Sequence, residues 1–342
     1  MKFKRISTLE AWESLSDEWN ALVVKGATNV PFLRYEYLRT WWDTRGGGEW
    51  NAEESKLFIV CAERDGELVG IAPLFSTRNH DNEPVLMLIG SIEVSDYLDL
   101  IACEEDLPEF VSGLFDFLNE QQESEARHLD LYNLQDDSPS LKLLGEIGAA
   151  KGWQTTTTKL QPSPYISLPA EWESYLAGLD KKQRHEIRRK MRRASEAPLA
   201  VEWTVVDDKE KVATEAEAFI EMMAGDPAKK AFLTEAMREY LREIAAVTLE
   251  HKWLQLSFLT IDGEKAAAYF CFVYANKVWV YNSAWNIRYG DYSPGWVLLG
   301  HIIQWAIENG IEELDFMRGD EAYKYKFGGV ERFVMRCELR KG

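Results

Sequence analysis

Leu254-Gln-Leu-Ser-Phe-Leu-Thr-Ile261, Asp262-Gly-Glu264, Ala266-Ala-Ala-Tyr-Phe-Cys-Phe-Val-Tyr274 and Lys277-Val-Trp-Val-Tyr-Asn-Ser283 follow one another with a turn signal between each pair of apolar runs. Asp262-Gly263 supplies the positive φ angles a two-residue hairpin turn demands, and Ala275-Asn276 sits at the next reversal. The stretch therefore predicts an antiparallel three-stranded meander. A helix over about Ser293 to Asn309 and a strand at Glu313-Leu-Asp-Phe-Met317 come next.

The same order occurs earlier in the chain. Lys56-Leu-Phe-Ile-Val-Cys-Ala-Glu-Arg64, the pair Asp65-Gly66 and Glu67-Leu-Val-Gly-Ile-Ala-Pro-Leu-Phe75 predict a hairpin, with further strands at about Val85–Ile89 and around Tyr97-Leu-Asp-Leu-Ile101. A helix near Pro108–Asn119 leads to the strand His128-Leu-Asp-Leu-Tyr-Asn-Leu134, so Leu129-Asp130 mirrors Leu314-Asp315. Upstream, Leu9, Trp12, Leu15, Trp19 and Leu22 share one helical face, and a second helix covers about Tyr35–Thr44. Polar Gln154-Thr-Thr-Thr-Thr158 and Pro162-Ser-Pro164 interrupt the pattern and mark a boundary between lobes 1–155 and 160–342. The expected fold class is α/β (α+β): two tandem lobes, each a mixed, mostly antiparallel sheet with flanking helices.

With 342 residues, 46% of them hydrophobic, the chain is long enough for two cores. Its net charge of -18 argues against general DNA binding. The longest apolar run, Ala266–Ala275, is about half the ~20 residues of a membrane helix, and the amino terminus lacks the apolar segment of a secretory signal. A cytoplasmic protein without membrane insertion is expected. Cys61, Cys103, Cys271 and Cys337 are far apart and read as reduced structural thiols. The five histidines form no ligand spacing, so no metal is expected.

Tyr281-Asn-Ser-Ala-Trp285, Ser293-Pro-Gly295, Gly310 and Leu314-Asp-Phe-Met-Arg-Gly-Asp-Glu-Ala-Tyr-Lys-Tyr-Lys-Phe-Gly328 resemble the GCN5-related N-acetyltransferase (GNAT) superfamily. With Pro31-Phe32, Trp41-Trp42 and Ser95-Asp-Tyr-Leu-Asp99 in the first half, they resemble its tandem-lobe bacterial branch of cellulose-biosynthesis-type acetyltransferases and Fem-like aminoacyltransferases. The resemblance implies direct transfer of an acyl group, most often acetyl from acetyl-CoA or another acyl-CoA, to an amine or hydroxyl of a small molecule, a sugar or peptide precursor, or a cell-envelope precursor. Fem-like relatives instead take amino acids from charged tRNA. The usual pyrophosphate loop, Gln/Arg-x-x-Gly-x-Gly/Ala, is replaced here by Arg288-Tyr-Gly-Asp-Tyr-Ser-Pro-Gly295, so both donors stay open, as does a non-catalytic binding protein with degenerate lobes.

Within this frame the candidate residues take cofactor-binding, catalytic and substrate-binding roles. Ser293, Gly295 and Trp296 open the long helix, where free N–H groups and the helix dipole favour a phosphate, and Ser293 is suited to cap it. Arg184 and Arg188 belong to the basic run Lys181–Arg193, a helix whose inward stripe is Gln183, Ile187, Met191 and Ala194; an anionic donor or acceptor suits its other face, as does plain solvation. Asp315, in an apolar strand, needs a partner or serves as base, while Arg318 grips an anion and Tyr323 protonates a leaving thiolate. Tyr281, Ser283 and Trp285, expected on one strand face, join Glu321, Lys324 and Lys326 as substrate contacts. Tyr97 and Asp99 are the acceptor-side candidates of the first lobe, which the missing helix-start and loop signatures mark as degenerate.

Overall fold

The computed structural model describes residues 1–46, 48–50 and 53–342. The chain divides into two compact units, Met1–Pro162 with Arg332–Gly342, and Ser163–Glu331. The last eleven residues thus join the first unit, where the sequence suggested a second lobe running to 342.

The first unit contains β1 (Lys2–Ile6), α1 (Leu9–Glu13), α2 (Ser16–Lys25), α3 (Tyr35–Arg45), β2 (Lys56–Leu57), β3 (Ile59–Arg64), β4 (Glu67–Ala72), β5 (Leu74–Arg78), β6 (Pro84–Leu88), β7 (Ile101–Ala102), α4 (Leu107–Glu120), β8 (His128–Gln135), α5 (Pro139–Ala150) and β9 (Trp153–Pro162). The second follows with β10 (Tyr165–Ser167), α6 (Trp172–Gly178), α7 (Lys181–Ser195), β11 (Val201–Val205), α8 (Val212–Met223), α9 (Pro227–Phe232), α10 (Glu235–Glu250), β12 (Leu254–Ile261), β13 (Glu264–Tyr274), β14 (Lys277–Trp285), α11 (Pro294–Glu308), β15 (Glu313–Asp315) and α12 (Ala322–Lys326). Strand β16 (Phe333–Lys341) then returns to the first unit.

In the first unit the expected hairpin is interrupted at Phe58 and at Pro73, which cannot donate to a ladder. Strands β3 and β4 consequently lie in a four-stranded sheet, β1-β3-β4-β7, and β2 and β5 in a six-stranded sheet, β2-β5-β6-β8-β16-β9. Asp65 and Gly66 hold φ of 54° and 86° at the β3–β4 turn, the geometry Asp-Gly was read to provide. The polar threonine run taken as a boundary is β9, an edge strand paired along its length with β16. Trp12, Trp19, Trp41, Phe32, Phe75 and Phe110 fill the core.

Asp130 of β8 has no exposed surface, and Arg336 of β16 grips it with two hydrogen bonds of 2.7 and 2.8 Å. This is the structural partner that a buried carboxylate requires. Asp130→Ala is expected to destabilise the first unit by about 3 kcal/mol in chemical denaturation. That is the lower end for a broken buried pair, because the Arg336 side chain keeps some solvent contact.

The second unit is one six-stranded sheet ordered β10-β15-β14-β13-β12-β11, with β14 and β15 parallel and the other pairs antiparallel. Helix α11 packs on one face through Val297, Leu298, Ile302 and Ile303 against Tyr269, Cys271, Val278 and Val280. The opposite face carries Phe270 and Phe272, met by Phe219 of α8 and by Trp253. Helix α7 reaches α11 through Ile187 and Ala194, both buried. Met191 presses so closely on Gly300 that a Cβ there would lie 2.9 Å from its Sδ.

Candidate active site

Pairing between β14 and β15 begins at Lys277/Glu313 and ends at Trp279/Asp315, whereas β14 runs on to Trp285. The two parallel strands therefore fork, leaving the β15-side edge of the second half of β14 outside any ladder. A bulge between Phe270 and Cys271 falls at the fork, so that Val280 pairs with Cys271 and Asn282 with Phe270. The bulge corrects the expected face-sharing of Tyr281, Ser283 and Trp285. Tyr281 turns to the α8 and α10 face, stacking on Phe270 and Phe272 with its hydroxyl 3.2 Å from that of Tyr240. Ser283 and Trp285 pair with Tyr269 and Ala267, on the α11 face.

Beside the fork lies a cavity of about 650 Å³ that includes Ser283, Trp285, Glu321 and Tyr323 among its lining residues. These are four of the sequence candidates, brought together by β14 and the start of α12. Residues with no sequence signal beyond ordinary helix punctuation complete it: Met222 at the end of α8, and Asp226, Pro227 and Lys229 where α9 begins. Asp226 caps α9, accepting from the Ala228 N–H at 2.9 Å, and Pro227 occupies its first turn. Lys229 two residues later carried no pattern at all. Its ammonium donates to Asn282 Oδ1 at 3.0 Å and to the Ser283 carbonyl, and burial lowers its pKa.

Tyr323 is largely enclosed, stands edge-on to Phe316 at 6.1 Å, and its hydroxyl has no hydrogen-bond partner among the described residues. Burial pushes its pKa upward, with the nearby Glu321 carboxylate adding to the effect. Lys324 is a different kind of residue from the exposed point charge expected. It is 2% exposed, and its ammonium donates to the carbonyls of Met317 (3.0 Å), Arg318 (2.8 Å) and Gly319 (3.2 Å) and pairs with Glu321 at 2.9 Å. A side chain with three protons and four acceptors holds the loop and has nothing left for a ligand. Met317 and Gly319, at φ of 62° and 122°, give that loop its shape.

Asp315 is fully buried, accepts from the Met317 N–H at 2.7 Å and does not line the cavity. Arg318 is likewise outside the lining, with its carbonyl taken by Lys324. Lys326 is exposed and lies 5.9 Å from the Trp296 ring. Trp296 itself is packed between Lys190, 3.8 Å from its ring centre, and Phe327, at 4.8 Å. It clips α7 and α12 to the start of α11.

Ser293 begins α11 at φ 51°, ψ 52°, and makes no side-chain cap, contrary to expectation, because the left-handed backbone turns its hydroxyl away from the first-turn N–H groups. Pro294 occupies the first turn as read, and no atom lies within 4 Å of where a Cβ on Gly295 would be. Ser293→Gly is expected to raise stability by about 0.5–1 kcal/mol in thermal denaturation, since glycine holds this conformation without the strain a Cβ brings.

On α7 the assignments shift along the helix. Arg188 pairs with Glu173, and Arg184 donates to the Ala177 carbonyl at 3.3 Å. Instead Arg189, Arg192 and Arg193 line a second cavity of about 330 Å³ with Tyr292, the residue before Ser293. Arg189 is paired with Glu186 at 2.9 Å. Arg193 has no carboxylate partner among the described residues, only the Tyr292 ring at 5.9 Å.

The two acceptor-side candidates of the first unit are interior residues. Tyr97 has no exposed surface and packs edge-on against Phe32. Asp99 is 1% exposed and accepts from Thr28 (2.5 Å), Ser138 (2.6 Å) and the Leu100 N–H (2.7 Å). Burial raises its pKa against those donors. A carboxylate so enclosed braces the fold and meets no substrate.

Residues 181–325 match the family model of the acetyltransferase (GNAT) domain. FemX has a similar solved structure, at 14% identity over 98% of this chain and 97% of that one, with a TM-score of 0.65. L-PGS from Bacillus licheniformis shares 12% identity over 90% and 92% (TM-score 0.53), and a tandem GNAT protein from the clavulanic acid biosynthesis pathway 10% over 98% and 98% (TM-score 0.50). No curated protein matches the sequence significantly. The chain thus has a tandem GNAT fold like that of FemX, and residues 181–325 of its second unit form a GNAT-type domain. No helix among the described residues is long and apolar enough to cross a membrane.

Proposed function

We propose that the second unit transfers an acyl group from an acyl-CoA, with acetyl-CoA the first to test, to an amine or hydroxyl acceptor. The fork between β14 and β15, opening beside a cavity that holds Tyr323, is the observation that carries this reading. On the forked edge the Ser283 N–H is taken by Asn282 Oδ1 at 2.8 Å; backbone N–H groups that are not paired with β15 there are suited to the charge that develops on a thioester carbonyl oxygen under attack. In an amine transfer the C–N bond forms as the C–S bond breaks. Glu321 takes the acceptor's proton and Tyr323 supplies one to the leaving thiolate. This replaces Asp315, which lies outside the cavity, as base. The phosphates of the donor fit the start of α11, where Gly295 leaves open space and Arg193 offers an uncommitted guanidinium beside Tyr292.

Thermal shift with a series of CoA esters tests the donor. A ligand at a hundred times its Kd stabilises by ~2.7 kcal/mol, and Arg193→Ala is expected to weaken that ester about tenfold or more, in keeping with loss of one charge-assisted phosphate contact. No stabilisation by any ester would remove CoA as donor. The basic face of α7 and the FemX-like fold favour a second reading, in which the Fem-like resemblance implies charged tRNA as donor. Salt-sensitive tRNA binding that disappears when Arg189, Arg192 and Arg193 are neutralised would select it. Absence of binding at low salt would discard it.

A further inference from the structure

The cavity beside the fork is chemically divided, and its division bears on the acceptor, given the reading of this cavity as the acylation site. Met222, Pro227, Trp285 and Ile287 give it apolar lining, with Trp285 53% and Ile287 81% exposed. Asp226 and Glu321 bring carboxylates, and Lys229 brings an ammonium. Lys229 is the anomaly. It is partly buried, bonded to Asn282 and to a backbone carbonyl, and no carboxylate lies at ion-pair distance among the described residues. Asp226 and Glu321 act on it only from farther away. Desolvating a cation without a counter-ion is costly, and two bonds leave one of its three N–H donors over. The Tyr323 hydroxyl, in the same lining, is a second unpartnered polar group.

We propose that the acceptor is an apolar α-amino acid, bound as the zwitterion: its carboxylate completes Lys229, its ammonium lies toward Asp226 and Glu321, and its side chain lies on Trp285 and Met222. A plain amine leaves Lys229 without its anion, and a neutral sugar answers neither charge. The cavity volume lies within the range of small-molecule sites, roughly 300–1,000 Å³.

Calorimetric titration of the full chain, without donor, tests this with four probes: L-leucine, L-phenylalanine, leucinamide, which lacks the carboxylate, and 4-methylpentanoate, which lacks the amine. Leucine or phenylalanine is expected to bind at least tenfold more tightly than leucinamide and 4-methylpentanoate. Lys229→Met is expected to erase the preference over leucinamide, and Lys229→Arg to retain most of it. Equal binding of leucine and leucinamide, or no binding of either amino acid, overturns the proposal. The comparison of probes on the native chain decides the matter even where Lys229→Met fails to fold. Release of thiol from the same series of CoA esters with bound amino acid reads the donor separately: amino-acid binding without release from any ester sinks the CoA reading and leaves the acceptor assignment standing.

Discussion

Tyr323→Phe is expected to lower kcat by about 10²–10⁴-fold, the range for a positioned proton donor, while leaving Tm unchanged. Both halves follow from one observation. The hydroxyl makes no hydrogen bond among the described residues, so its removal takes nothing from the fold, and only a reacting group gives it a role. The raised pKa keeps it protonated to higher pH than an ordinary tyrosine, as a proton donor must be. Steady-state kinetics beside a melting curve checks it, and a variant of native rate would exclude Tyr323 from the reaction.

Lys324→Met is expected to destabilise the second unit by about 3–5 kcal/mol and to lower kcat/KM with it. Three carbonyls of Met317, Arg318 and Gly319 converge on this buried ammonium. Each costs roughly 1–3 kcal/mol if left unsatisfied, a penalty the loop escapes in part by opening to water. Opening moves α12, and Tyr323 sits in its first turn. Arginine is not expected to rescue the variant, because a planar fork does not reproduce a compact point charge with three donors. Denaturation and kinetics on both variants check this, and a stable, fully active Lys324→Met protein would contradict it.

What the sequence disclosed follows the strength of local chemistry. Asp65-Gly66 and Asp262-Gly263 gave their turns because few residues tolerate those backbone angles, and all four hold positive φ. The stripe of α7 was visible because one face must bury Ile187 and Ala194. Strand β9 was misread because it lies at a sheet edge and is mostly exposed, so it shows no apolar alternation, only β-branched threonines. The face of Tyr281 was misplaced for another reason: a bulge adds one residue to a strand and reverses the alternation beyond it, and no residue at Tyr281 announces it. Lys229 and Lys324 could not be sorted from the other lysines, since what distinguishes them is burial created by distant segments. Of the titratable candidates on one loop, Tyr323 lines the cavity and Arg318 does not, a difference that the shape of the loop sets and residue type does not reveal.

Strand β16 has a consequence for biosynthesis. It inserts between β8 and β9, pairing Leu129 with Leu339 and Trp153 with Lys341, so the six-stranded sheet of the first unit lacks an inner strand until residue 341 has left the ribosome. The second unit, nested between residues 163 and 331, has all its strands earlier. The usual amino-to-carboxyl order of domain folding during synthesis is therefore inverted. For the time it takes to translate some 170 residues, roughly 9–34 s at about 5–20 residues per second, strands β8 and β9 present open edges, and the nascent first unit is the client a chaperone would find.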